Sequence, residues 1–159
     1  MEDNYSVLYV FVNTDLPSMN PGKAQAHSGH AANAFINKAA IQPMRAGKEL
    51  RYDVQTWMAE TPFGFGTQIN LKGEWNEVVH AVAEAAEAGA VAELVIDPTY
   101  PYIVDKEIVK LIDPKVHTKI PYDLEDGRFL CCRQEVTAAY IFYFKNKLEP
   151  IVSKFPLHP

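Results

Sequence analysis

Lys23, His27 and His30 fall at i, i+4 and i+7 of the run NPGKAQAHSGHAANAF, residues 20–35, so a helix there lines all three along one stripe. Small residues surround them, which lets the backbone approach a ligand or lie flat on a sheet. Lys23 belongs to the first turn, where free N–H groups and the helix dipole already favour an anion. A cation there is disfavoured by the dipole. It makes sense if a carboxylate, a phosphate or a developing oxyanion binds beside it. On spacing alone the plainer alternative stays open, a solvated lysine with two hydrogen-bonded histidines.

Two carboxylates are placed to join the stripe. Asp15 follows the first apolar run and Asp97 ends a later one. In an open α/β sheet, ligands sit outside the carboxyl ends of the strands, so both acids would meet the start of the helix at one edge. Each also reads as a turn residue near a proline, Pro17 or Pro98. A metal reading exists too, since His27 and His30 are helix neighbours and Asp97 can approach them. The sequence displays none of the further ligands or supporting groups that metal sites carry, so no metal and no other cofactor is expected. Lys38, Arg45, Lys48 and Arg51 form the one basic concentration in the chain, either a solvated face or a phosphate-binding surface.

These residues need a scaffold to bring them together. SVLYVFV, residues 6–12, is an unbroken apolar run that suits a central strand covered on both faces. Asn20 as N-cap and Pro21 at the first helical position open a helix reaching about residue 38. Residues 39–66 read as a long connection with one short helix around 46–52. A second strand at 67–72 leads into GEWNEVVHAVAEAAEAGA, which puts Trp75, Val78, Val79, Val82, Ala85 and Ala86 on one face and stops at Gly89. VAELVID, 91–97, is a third strand, and EVTAAYIFYF, 135–144, a fourth. Asp126-Gly127 marks a hairpin inside an insertion at about 98–133. NKLEPIVSK reads as a short helix broken early by Pro150. The pattern predicts a single α/β domain over 1–159: a three-layer sandwich with a four-stranded mixed sheet and an inserted hairpin. Strands 6–12 and 91–97 are expected as parallel neighbours.

With 159 residues, 48% of them hydrophobic, the chain buries a core without disulfides or metals. A net charge of -5 excludes a global basic field, so nucleic acid would have to bind through a local patch. Cys131 and Cys132 are adjacent and suit neither a useful disulfide loop nor zinc. They imply reduced core thiols and a cytoplasmic setting. The first apolar run is too short to span a membrane and lacks signal-peptide flanks, so no membrane association is expected.

The order of motifs resembles the peptidyl-tRNA hydrolases of the archaeal and eukaryotic type. LYVFVNTDL, then Gly22-Lys23 at a helix start, then KAQAHSGHAANAF are similar to that family's strand ending in Asp-Leu and its helix patterned Lys-x-x-x-Gln-x-x-His-Ala. The segment TQINLKGEWNEVVHAVAEAAEAGAVAELVIDPT follows its strand, helix, strand and terminal aspartate. The resemblance covers about 6–38, 66–99 and 134–157. It departs at His27, where the family has glutamine, and after Asp97, where PTYPY replaces glycine, arginine and threonine.

The resemblance implies hydrolysis of the ester of peptidyl-tRNA, releasing free tRNA and peptide. Lys23, His30 and Asp97 would be catalytic; Asp15, Gly22, His27, Arg45, Lys48 and Arg51 would bind substrate. The implied partner is tRNA, and a homodimer is one assembly it allows. The competing expectation is a catalytically inactive relative that binds a small ligand, RNA or a protein with the same face.

Overall fold

The computed structural model describes residues 5–41, 44–45 and 48–158, with the backbone alone at 44, 45, 48 and 49. β1 (Ser6–Val12) is buried at all seven positions, as its unbroken apolar run requires. α1 (Pro21–Ile41) starts at Asn20, whose Oδ1 accepts the Lys23 backbone N–H at 3.0 Å. A small antiparallel pair, β2 (Met44–Arg45) and β3 (Lys48–Glu49), precedes α2 (Leu50–Ala59). The short helix expected near 46–52 therefore begins at Leu50 and runs further. Leu50, Val54 and Trp57, at i, i+4 and i+7, bury one face of it.

β4 (Gln68–Leu71) leads to α3 (Trp75–Glu87), which buries Val78, Ala81, Val82 and Ala85. Then come β5 (Val91–Asp105), α4 (Lys106–Val109), a single 3-10 turn (Pro114–Val116), β6 (Tyr122–Asp123), β7 (Arg128–Phe144) and α5 (Lys145–Val152). Pro150 lies inside α5 and does not break it. Its neighbours Leu148, Ile151 and Val152 are all buried, and that packing outweighs one lost backbone bond.

The architecture is a three-layer α/β sandwich. Alternate residues of β1 face opposite layers: Val7, Tyr9 and Phe11 pack with α3 and α5, whereas Leu8 and Val10 pack with α1 and α2. The mixed sheet has five strands rather than four, in the order β4-β1-β7-β5, with β6 pairing the far part of β7. β1 and β4 are parallel; every other pair is antiparallel. Strands 6–12 and 91–97 thus point the same way but are not neighbours, because β7 lies between them. The burial patterns explain the exchange. β7 is buried continuously from Thr137 to Phe142 and belongs in the middle, while the first half of β5 alternates, as an edge strand does.

β5 and β7 continue past the body of the sheet as an arm, Tyr100–Asp105 against Arg128–Arg133, with β6 on the other edge of β7. This arm is the base of the insertion, and its tip carries the expected hairpin turn, with Gly127 at φ 85°. At the junction the register shifts between Asp97 and Tyr100. Pro98 and Thr99 are the unpaired residues there.

A candidate polar site beside the strand irregularity

The irregularity in β5 decides where Asp97 points. Its Oδ1 accepts the Thr99 N–H at 2.7 Å and the Thr99 hydroxyl at 3.3 Å, an Asx turn that lifts the carboxylate off the ladder. α1 crosses this region of the sheet and brings His27 and His30 to the same place. One ring nitrogen from each histidine and a carboxylate oxygen of Asp97 all lie within 4.8 Å of one another. His27 is 4% exposed, packed against the His30 ring at 5.2 Å and the Tyr100 ring at 5.6 Å, and its Nδ1 has no hydrogen-bond partner. His30 is exposed and Asp97 half-buried. Both line a cavity of about 320 Å³ with Asn33, Ala34, Asn37 and Val95.

Lys23 is not among the residues that line that cavity. Its Nζ donates to the Pro101 carbonyl at 2.8 Å and to the Ser18 hydroxyl at 2.9 Å, and lies 4.9 Å from the Tyr100 ring centroid. The Tyr100 hydroxyl donates to the Pro17 carbonyl at 2.9 Å. These contacts stitch the loop after β1 to the start of the arm. An ammonium carries three protons, so one remains uncommitted. Burial pushes the Lys23 ammonium below its usual range, which makes it a readier donor.

Asp15 goes elsewhere: its Oδ2 accepts the Trp75 N–H at 3.3 Å, at the start of α3, where the helix dipole favours a carboxylate. A Cβ on Gly22 would meet Asn20 at an ordinary 3.5 Å, so packing does not demand glycine there. Arg51 is exposed beside Ile36, Ala39 and Ala40 of α1. The side chains of Arg45 and Lys48 lie outside the described residues. Lys38 is ion-paired with Glu93, whose other oxygen accepts the Tyr140 hydroxyl at 2.8 Å.

Structure brings together His27, His30 and Asp97, and separates Asp15 from them. It adds Tyr100 and Thr99, which the sequence alone does not single out. The Asp-Pro-Thr run is a signal for Thr99, since an aspartate two residues ahead often caps its N–H. Tyr100 gives none, because a buried aromatic after a turn looks like any core residue. A larger cavity, about 660 Å³, lies in the insertion between Val109, Ile112, His117, Ile120 and Phe129, and shares no residue with the polar cluster.

The buried imidazole has a consequence for stability. Burial lowers the His27 pKa from about 6.5; the Asp97 carboxylate opposes this, and His30 and Lys23 reinforce it. The unfolded chain therefore takes up this proton first as pH falls. The stabilising contribution is fully present above about 6.5 and is lost as pH drops from there through the lower folded value. Urea midpoints in chelator-containing buffer should fall on acidification from pH 7.5 to 5, and His27→Gln should flatten that fall. A slope unchanged by the substitution would assign the acid sensitivity to other groups.

Among the described residues no helix is long and apolar enough to cross a membrane. No protein-family model matches this chain, and no curated protein matches it either.

Proposed function

We propose that the chain hydrolyses the ester between a peptide and tRNA. The observation that carries this reading is the grouping of His27, His30 and Asp97 where α1 crosses the irregularity in β5, with Lys23 one helical turn nearer the start of α1. Ester cleavage needs an activated water and a place for the oxyanion. Thr99 holds one oxygen of Asp97, so the other orients and deprotonates a water held in the cavity, with His30 beside it. The third proton of Lys23 and the positive end of the α1 dipole would stabilise the negative charge that develops. The same reading places the protein in the cytoplasm, in keeping with two free thiols at Cys131 and Cys132.

The direct test is release of free tRNA from an N-blocked aminoacyl-tRNA. Failure under conditions where a known hydrolase turns over would leave a silent binding module. That second reading draws on one observation: two of the three Lys23 protons are spent on Ser18 and Pro101.

Phosphate binding would come from the basic segment around Arg51. Neutralising Arg45, Lys48 and Arg51 together should weaken tRNA binding. It should also flatten the salt dependence by roughly 0.7–0.9 in log–log slope for each phosphate that the variant no longer neutralises. Affinity measured across a salt series checks this, and an unaltered slope would move the RNA surface elsewhere.

A further inference from the structure

We propose that His27, His30 and Asp97 form a binding site for a divalent transition ion of the zinc class, held by two imidazole nitrogens and one carboxylate oxygen. Two histidines one helical turn apart supply the nitrogens, and the irregularity in β5 delivers the oxygen across the helix–sheet interface. Two imidazoles and a carboxylate with an open position are a ligand set that suits zinc and its neighbours. Neighbouring ligands of a tetrahedral zinc stand about 3.4 Å apart. The observed atoms lie within 4.8 Å of one another, so an ion would draw them together by up to about 1.4 Å, with exposed His30 the member least held by packing.

A second observation points to a ligand independently. His27 is 4% exposed and its Nδ1 is buried with no hydrogen-bond partner. Buried polar groups in folded proteins are nearly always satisfied, so an orphaned imidazole within a cluster of ligand atoms marks a place for a bound species. The support that metal ligands need is also present. Thr99 donates twice to Oδ1 of Asp97 and fixes that carboxylate, leaving its other oxygen for the ion. The Tyr100 ring, anchored to Pro17 through its hydroxyl, packs against His27. Access runs through the cavity of about 320 Å³ that His30 and Asp97 line, which also holds room for water in an open coordination position. The sequence shows the histidine pair and offers Asp97 as a residue that can approach it; the fold brings the three ligand atoms together.

This inference stands apart from the hydrolase reading, because its test involves no RNA. The purified full chain, stripped with a chelator and dialysed, is titrated with Co²⁺ as a spectroscopic probe. Zn²⁺ is then added in competition with a chromophoric chelator. The expected result is one equivalent of ion, visible d–d bands from nitrogen–oxygen coordination, and displacement of Co²⁺ by Zn²⁺. His30→Ala and Asp97→Ala should each weaken binding about 100-fold or more, and Thr99→Ala about 10-fold, the scale for a group that orients a ligand. His80→Ala, on exposed helix surface, should change nothing. His30 is exposed, so its removal tests the site without risking the fold that buried His27 helps to fill. Absence of the bands, or stoichiometric binding that survives both His30→Ala and Asp97→Ala, would overturn the proposal. Tight ion binding by a chain that releases no tRNA would sink the hydrolase reading and leave this one standing. Hydrolysis by a chain that binds no ion would do the reverse.

Discussion

Asp97→Asn should lower the rate of ester hydrolysis by about 10²- to 10⁴-fold, the span seen when a general base is lost. The substitution keeps the shape of the side chain and an oxygen for the Thr99 N–H, so the Asx turn persists. What it removes is the negative charge and the capacity to accept a proton from water. Thermal stability should stay close to that of the unaltered chain. Lys23→Ala offers the contrast. It should cost on the order of 10²-fold in rate, as for one lost oxyanion donor. Unlike Asp97→Asn it also severs the hydrogen bonds to Ser18 and Pro101. Those half-exposed bonds are worth on the order of 1–2 kcal/mol together. Turnover on chelator-treated protein, measured alongside melting temperature, separates the cases. A collapse of stability in Asp97→Asn would make that residue a turn element and nothing more.

The largest effect on folding should come from Phe35→Ala. Phe35 is fully buried where α1 meets the sheet, with ring centroids of Phe142 at 4.5 Å, Tyr140 at 5.7 Å and Trp57 at 5.8 Å. Truncation leaves a cavity ringed by three rigid aromatics that cannot collapse into it. The cost for such changes is about 3–5 kcal/mol, which in a domain of this size lowers the melting temperature by roughly 6–20 °C. The loss is a large part of the whole stability of an ordinary domain. Phe63→Ala, at a side chain 86% exposed, serves as the control and should melt almost normally. A Phe35→Ala protein that melts within a degree or two of the parent would mean that α1 does not pack on β7 as described.

Much of the scaffold was legible because local signals agree. The Asn20-Pro21 start, the face of α3, the stop at Gly89 and the turn at Gly127 all depend on near neighbours in the chain. The order of the strands does not. Periodicity says which residues of β1 and β7 are buried, but not that the two strands lie side by side. The true length of β5 was hidden for a specific reason. Pro98 and Pro101 read as breakers, yet β5 has β7 as its one partner strand, and an edge strand tolerates a missing N–H at a bulge or on its open side. The same two prolines concealed Tyr100 and the way the arm grips Lys23. The stripe of Lys23, His27 and His30 was visible from helix geometry. Where its members point was not: the lysine turns toward the arm, whereas the histidines meet Asp97.

The central position of β1 bears on how the molecule is made. Val12 pairs with Ala138 and Ser6 with Phe144, so this strand is synthesised long before the partner on one of its two edges. At about 5–20 residues per second, the wait on the ribosome is roughly 6 to 28 s. During that interval β4 and α1 can cover part of β1, but the side reserved for β7 stays open, flanked by apolar side chains and free backbone groups. A nascent chain stalled before residue 128 therefore displays an unpaired apolar edge of the kind that chaperones capture, and the sheet locks only once the seventh strand has emerged.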